Sequence, residues 1–186
     1  MKTPVPAFSD FTEHTITSVT RYQGQLLRVN EDRVRLPDGG EAGREYIVHP
    51  GAVIILAVRD DAEVMLVRQF RYPARAHFIE LPAGKIEPSE DPQLTAQREL
   101  LEEVGYVASR WQRLAVTHPC VGYSDERIEF YLAEGLTYQG HQRDDGEFLN
   151  AFSLSLDTAL KWVLDGTITD IKTIAGLLWL KTFLGR

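Results

Sequence analysis

One cysteine in 186 residues, Cys120, excludes an intrachain disulfide. With no Cys-His signature around it, it reads as a small half-buried residue in a reducing compartment and not as a nucleophile. Positive charge is in short supply: 20 Lys and Arg stand against 27 Asp and Glu, a net charge of −7. That argues against a polyanion binder, because nucleic-acid modules carry a basic face, although a few local arginines can still serve a small anion. No apolar run approaches the roughly 20 residues that a membrane-spanning helix needs. The first residues, MKTPVPAFSDFTEH, have no basic stretch followed by an apolar one, so no secretory signal is expected. Repeats and low-complexity segments are absent too. The expectation is a soluble, cytoplasmic protein with no nucleic-acid or membrane partner.

An apolar fraction of 44% and a charged fraction of 25% suit one globular domain with a small appendage. Residues 1–15 read as an arm. Strands are expected at 25–29 and 33–36 about a turn at Asn30-Glu31-Asp32, and at 44–48 after a second turn, Pro37-Asp38-Gly39-Gly40. A meander this small buries little alone, so residues 1–45 are expected to pack on something else, a second copy of the chain, as a dimerisation element. Residues 46–186 form the main domain. The uninterrupted Ala52–Val58 reads as a strand covered on both faces. Strands follow at 63–72, 78–81, 112–117, 127–134 and 148–155. Helices are expected at 92–104, 156–165 and 171–184, the first capped by Asp91 with Pro92 behind it and stopped at Gly105. Mixed strands with few, separated helices indicate an α+β chain with α/β/α layering.

The chemistry concentrates in the first helix. Glu99, Glu102 and Glu103 stand at i, i+3 and i+4, on one face. Like charges at that spacing repel, and they occupy the helix's C-terminal half, where the dipole disfavours anions. A hard divalent cation, Mg²⁺ or in its place Mn²⁺, would make the cluster tolerable; the bland alternative is a solvated acidic face. Glu90 and Arg98 can pair to tie the preceding loop to the helix. Gly84 permits close approach of backbone to a ligand. Leu94, Leu101 and Val104, with Ala96 and Leu100 alongside, are the expected apolar face.

Residues 84–106 resemble the Nudix box, G-x5-E-x7-R-E-U-x-E-E-x-G-U with U a bulky aliphatic. Gly84, Glu90, Arg98, Glu99, Leu100, Glu102, Glu103 and Gly105 match, and only Tyr106 departs, at a packing position. The order of strands agrees with that family over about residues 46–186. The resemblance implies the Nudix fold, a mixed sheet between helices. It makes Glu99 and Glu103 the principal metal ligands, with Glu102 assisting and the backbone carbonyl of Ala83 beside Gly84 as a further ligand. Glu90 and Arg98 are structural. The reaction implied is metal-assisted attack of water on a diphosphate.

Beyond the box the chain resembles the ADP-ribose pyrophosphatase branch, through Arg44–Val53, through Arg68–Tyr72 with Glu80–Lys85, and through the proline-bearing His118–Arg127. The expected substrate is a nucleoside diphosphate sugar, ADP-ribose first. A GDP-mannose-like sugar or a dinucleotide is the alternative, and a catalytically silent nucleotide sensor is an alternative of another class. Arg44 and Arg71 suit phosphate oxygens, and Glu126 suits ribose hydroxyls. Phe11, Tyr22 and Tyr46 are candidates both for stacking on adenine and for the core. The branch places the general base in an acidic loop, here residues 142–147, with Glu147 the first choice and Asp144 and Asp145 behind it. The histidines carry no signal beyond polar loop and strand-end positions. A homodimer with exchanged N-terminal meanders is implied.

Overall fold

The computed structural model describes residues 7–142, 146, 148–183 and 185. It divides into two compact units, residues 1–49 with 120–125, and residues 50–119 with 126–186. The smaller unit is an antiparallel sheet of β1 (His14–Gln23), β2 (Arg28–Arg35) and β3 (Glu41–Val48), in that order. The turn expected at Asn30-Glu31-Asp32 does not form, and β2 runs straight through it. Asn30, Asp32 and Val34 alternate as its buried residues, which is strand periodicity written partly in polar side chains. The chain reverses instead at Gly24–Leu27, closed by Gly24 N–H to the Leu27 carbonyl at 2.8 Å. Residues 120–125 join this unit where Ile47 N–H donates to the Tyr123 carbonyl at 2.9 Å and Asp125 accepts from His49 N–H at 2.7 Å.

The larger unit holds two sheets. One has the order β7 (Ala83–Lys85), β4 (Ala52–Ala57), β9 (Ile128–Tyr138), β8 (Tyr106–Thr117), and the other β10 (Leu149–Ser155), β5 (Glu63–Arg71), β6 (Ala76–Glu80). β4 pairs parallel with β9 and antiparallel with β7, so the first sheet is mixed. β4 is the layer that both faces share. Val53, Ile55 and Ala57 join Ala96, Leu100 and Val104 of α1 (Pro92–Val104) in one core. Ile54 and Leu56 join Leu156 and Ala159 of α2 (Leu156–Leu164) and Leu177 and Leu180 of α3 (Ile171–Phe183) in the other. The α/β/α sandwich follows from that alternation, and its helices are where the sequence places them.

Both ends of α1 are as expected. Asp91 accepts from Gln93 N–H at 2.8 Å, and Gly105 takes φ 78°, a left-handed conformation that ends the helix without a Cβ penalty. Its buried stripe differs from the expected one. Leu94 is exposed, and Thr95 and Glu103 are buried in line with Ala96, Leu100 and Val104. A carboxylate thus occupies a core-facing position. Among the described residues no helix is long and apolar enough to cross a membrane.

Candidate active site

Register brings the site together. Val53 of β4 pairs with Gly84 on one side and Glu129 on the other, so the box glycine and the start of β9 lie at one end of the sheet. α1 packs over that end and lays its acidic face on β7. The Glu99 carboxylate rests directly on Gly84, where an added Cβ would stand 1.9 Å from its Cδ. Any side chain at 84 would therefore displace Glu99, which explains the glycine by close approach. One turn on, Glu103 is 2% exposed and accepts from Ala83 N–H at 2.9 Å. Two carboxylates of one helix face thus close on two adjoining residues, Ala83 and Gly84.

Arg98 organises the rest. Its Nη1 donates to Glu99 Oε1 and Glu102 Oε2, both at 2.8 Å, while Nε and Nη2 reach Glu90 at 3.0 and 3.1 Å. The expected Glu90–Arg98 pair is present, and Thr95 Oγ1 and Glu87 N–H add bonds to Glu90 at 2.8 and 3.2 Å. These donors, Arg98 first, hold the Glu90 carboxyl down at about 2, and the same carboxylates raise Arg98 above its ordinary value. The helix is thereby tied to its leading loop.

The donor set fits a hard divalent cation. It consists of oxygens alone, two of its carboxylates are largely buried, and Gly84 clears the space above the peptide. Among the described residues no group of three carboxylate or imidazole side chains forms a finished cage, because Glu102 turns to Arg98 and Glu103 to Ala83. A divalent cation held there would complete its shell with water and substrate phosphate oxygens.

The substrate-side expectations divide. Arg71 ends β5 and forks onto Glu80, Nε to Oε1 and Nη2 to Oε2 at 2.8 Å each. Glu80 is 2% exposed; burial favours its neutral form, but Arg71 and Lys172 outweigh that and lower its pKa. Glu103 is among the charges that raise Arg71, so the guanidinium lies within electrostatic reach of the box. Glu126 is half-buried just before β9, at the sheet end where β7 and β9 flank Ala52. Arg127 beside it pairs with Glu129, and Arg71 pairs with Glu80. Arg44 belongs to the smaller unit, where its fork holds Glu13, Nε to Oε2 at 2.8 Å and Nη2 to Oε1. Phe11 and Tyr22 are exposed rather than core, and Tyr46 donates to Asp32 at 3.3 Å. Glu147, Asp144 and Asp145 lie outside the described residues.

Two assemblies were not anticipated. One is the Arg71–Glu80–Lys172 network, whose partners are 92 positions apart. The other is the buried Glu129, which takes Arg113 Nε at 2.6 Å, Arg127 Nη2, and the Tyr131 hydroxyl at 3.2 Å. Burial and the Glu129 charge push Tyr131 up to about 12.

Fold and site together define a hydrolase whose carboxylate helix lies over a glycine-opened peptide. The sequence matches the NUDIX domain over residues 48–175 and the nucleoside diphosphate sugar hydrolase N-terminal domain over residues 13–47. The chain belongs to the Nudix family, whose hydrolases generally need a divalent metal. It is 36% identical over 173 residues to a methanol dehydrogenase activator of Bacillus methanolicus, covering 92% of this chain and 94% of that one. It is also 36% identical over 171 residues to the ADP-ribose pyrophosphatase of Bacillus subtilis, covering 91% and 92%. A solved structure described as an ADP compounds hydrolase superposes with a TM-score of 0.81 over 94% of this chain and 97% of the other at 20% identity, a likeness of fold. The resemblance read from the box and its flanking segments is borne out.

Proposed function

We propose that this chain hydrolyses the diphosphate bond of ADP-ribose or a similar ADP-sugar, with Mg²⁺ as its metal and Mn²⁺ as a substitute. The products are AMP and a sugar phosphate: a water oxygen bonds to one phosphorus as that phosphorus parts from the bridging oxygen, which leaves on the other phosphate. The observation that carries the reading is the pair of carboxylates, Glu99 on Gly84 and Glu103 on Ala83, within electrostatic reach of an arginine already held in one orientation. The similarity to an ADP-ribose pyrophosphatase over nine-tenths of both chains supports the nucleotide assignment.

Glu99 and Glu103, assisted by Glu102 and the Ala83 carbonyl, hold the cation. When bound, the cation neutralises diphosphate oxygens and lowers the pKa of water. Arg71 and Arg44 bind phosphate oxygens as guanidinium forks, Glu126 accepts from ribose hydroxyls, and Glu147 takes the proton of the attacking water. Gly84 keeps the site open to the substrate, and Glu90 with Arg98 keeps the helix in place. Arg44 must exchange Glu13 for phosphate, a contest between two anions for one exposed guanidinium.

Residues 1–45 serve as a dimerisation element, with 46–186 as the hydrolase domain. β1 is exposed along its whole length, and Phe8, Phe11, Ile16, Val19 and Leu26 stand exposed in the same unit; a second copy would cover such surface. Light scattering at the mass of one chain would contradict the dimer. A single cysteine suits a cytoplasmic location, which fractionation of the native cells would test.

The deciding experiment is a substrate panel with Mg²⁺, scored by chromatography of the products. ADP-ribose is expected to give AMP and ribose phosphate with the highest kcat/KM. A preference for GDP-mannose or a dinucleotide would overturn the ADP-sugar assignment, and tight binding without turnover would mean a sensor.

A further inference from the structure

The first turn of α3 is fastened to β6 in two separate ways. Asp170 caps the helix, accepting from Thr173 N–H at 3.0 Å and Thr173 Oγ1 at 2.6 Å, while its carbonyl accepts from Ile174 N–H at 2.9 Å. The same Thr173 hydroxyl accepts from Leu81 N–H at 2.8 Å, and Thr173 is fully buried. These bonds seat the helix on the backbone that leads to Ala83 and Gly84. None of them needs Lys172.

Lys172 spends its ammonium elsewhere. It donates to Asp170 Oδ1 at 2.8 Å and to Glu80 Oε2, the oxygen that Arg71 Nη2 also uses. Glu80 is almost wholly buried, and its two partners, Arg71 and Lys172, decide where its carboxylate plane lies. A forked arginine–carboxylate pair is planar, so fixing Glu80 fixes the plane of the Arg71 guanidinium. The fork uses Nε and Nη2, which turns the Nη1 edge away from Glu80. These charged groups also line an open pocket of about 210 Å³ with Pro73, Ala74 and Phe78.

We propose that Lys172 is a positioning residue for diphosphate recognition: through Glu80 it sets the guanidinium of Arg71 against the substrate phosphate. The inference rests on the phosphate-binding role assigned to Arg71 above. Charge balance favours it, since Arg71 and Lys172 answer Glu80 and Asp170 one for one and none is left to act as acid or base. Without Lys172, Glu80 keeps Arg71 but loses the second contact that holds its plane.

A double-mutant cycle tests this. Lys172→Met is expected to raise KM for ADP-ribose about tenfold, the scale of one misplaced charged hydrogen bond, with kcat changed less than about twofold. In an Arg71→Ala background the same substitution is expected to change KM by less than about twofold, because there is no guanidinium left to misplace. Lys172→Arg is expected to recover part of the loss. The idea is overturned if KM stays at the wild-type value in folded Lys172→Met protein, or if the loss is equally large without Arg71. Where Lys172→Met does not melt cooperatively, Lys172→Gln carries the same cycle. Binding of inorganic pyrophosphate, measured by calorimetry, repeats the cycle without turnover. A loss there that vanishes in Arg71→Ala supports the positioning role even if ADP-ribose is not the substrate, and equal losses in both backgrounds overturn it.

Discussion

Two charged assemblies lie near the Ala83–Gly84 peptide, and they are built on opposite principles. In the box, Arg98 serves Glu90, Glu99 and Glu102, with Glu103 one turn beyond Glu99, so among the described residues of this helix and its leading loop four carboxylates gather around one guanidinium. Across β6, Arg71 and Lys172 meet Glu80 and Asp170 in equal number. A balanced network needs nothing more from outside and rigidifies what it touches. An unbalanced one, partly buried, carries an electrostatic cost that a bound cation relieves. On the proposed function, the excess marks where the cation and the chemistry would sit, and the balance marks what would hold a binding group in place.

The largest effect expected from breaking that contrast is at Glu103. Glu103→Gln keeps an acceptor for Ala83 N–H, so the fold should survive, but it removes one of the excess charges. Turnover should fall roughly a hundredfold or more, as for loss of one preorganised electrostatic group. Wild-type kcat in this variant would remove Glu103 from the metal site. Next comes Gly84→Ala, which drives a methyl into Glu99. It should cost about 1–3 kcal/mol by thermal melting and most of the activity; an unchanged Tm and kcat would mean that Glu99 does not rest there in solution.

The smallest effect concerns Glu90, the carboxylate that Arg98 holds through both Nε and Nη2. Its pKa is lowered from 4.5 to about 2, so the stability it contributes is present above pH 4.5 and is lost as pH falls toward 2. Melting temperature should therefore decline over that window less steeply in Glu90→Gln than in wild type. Parallel declines would show that Glu90 is not held by Arg98 in solution.

The box was legible because its spacing is local. A 3.6-residue period put Glu99, Glu102 and Glu103 on one face, and Asp91, Pro92 and Gly105 marked the ends of α1 by capping chemistry. β4 was legible for a similar reason, since an unbroken apolar run demands cover on both sides. What escaped was either polar or distant. The strand pattern was legible from Ile16 on, but the bounds of β1, His14–Gln23, were not, because Ile16, Val19 and Tyr22 stand three apart and do not alternate. β2 places Asn30 and Asp32 at buried positions, and the triplet Asn30-Glu31-Asp32 imitates a turn. Leu94 was assigned to the core on hydrophobicity, yet the helix rotates to bury Glu103 instead. The union of Glu80 with Lys172 spans 92 positions and depends on how α3 meets β6, which no local pattern encodes.

On the proposed function, the box carboxylates gather a divalent cation onto a diphosphate beside Ala83 and Gly84. Crystals grown with Mn²⁺ and a non-hydrolysable ADP-ribose analogue would test it directly through the anomalous signal of manganese. The expected peak is bounded by Glu99, Glu103 and the backbone of Ala83, in contact with the analogue's phosphate oxygens. A peak elsewhere, with those glutamates turned to solvent and the analogue bound away from them, would contradict it.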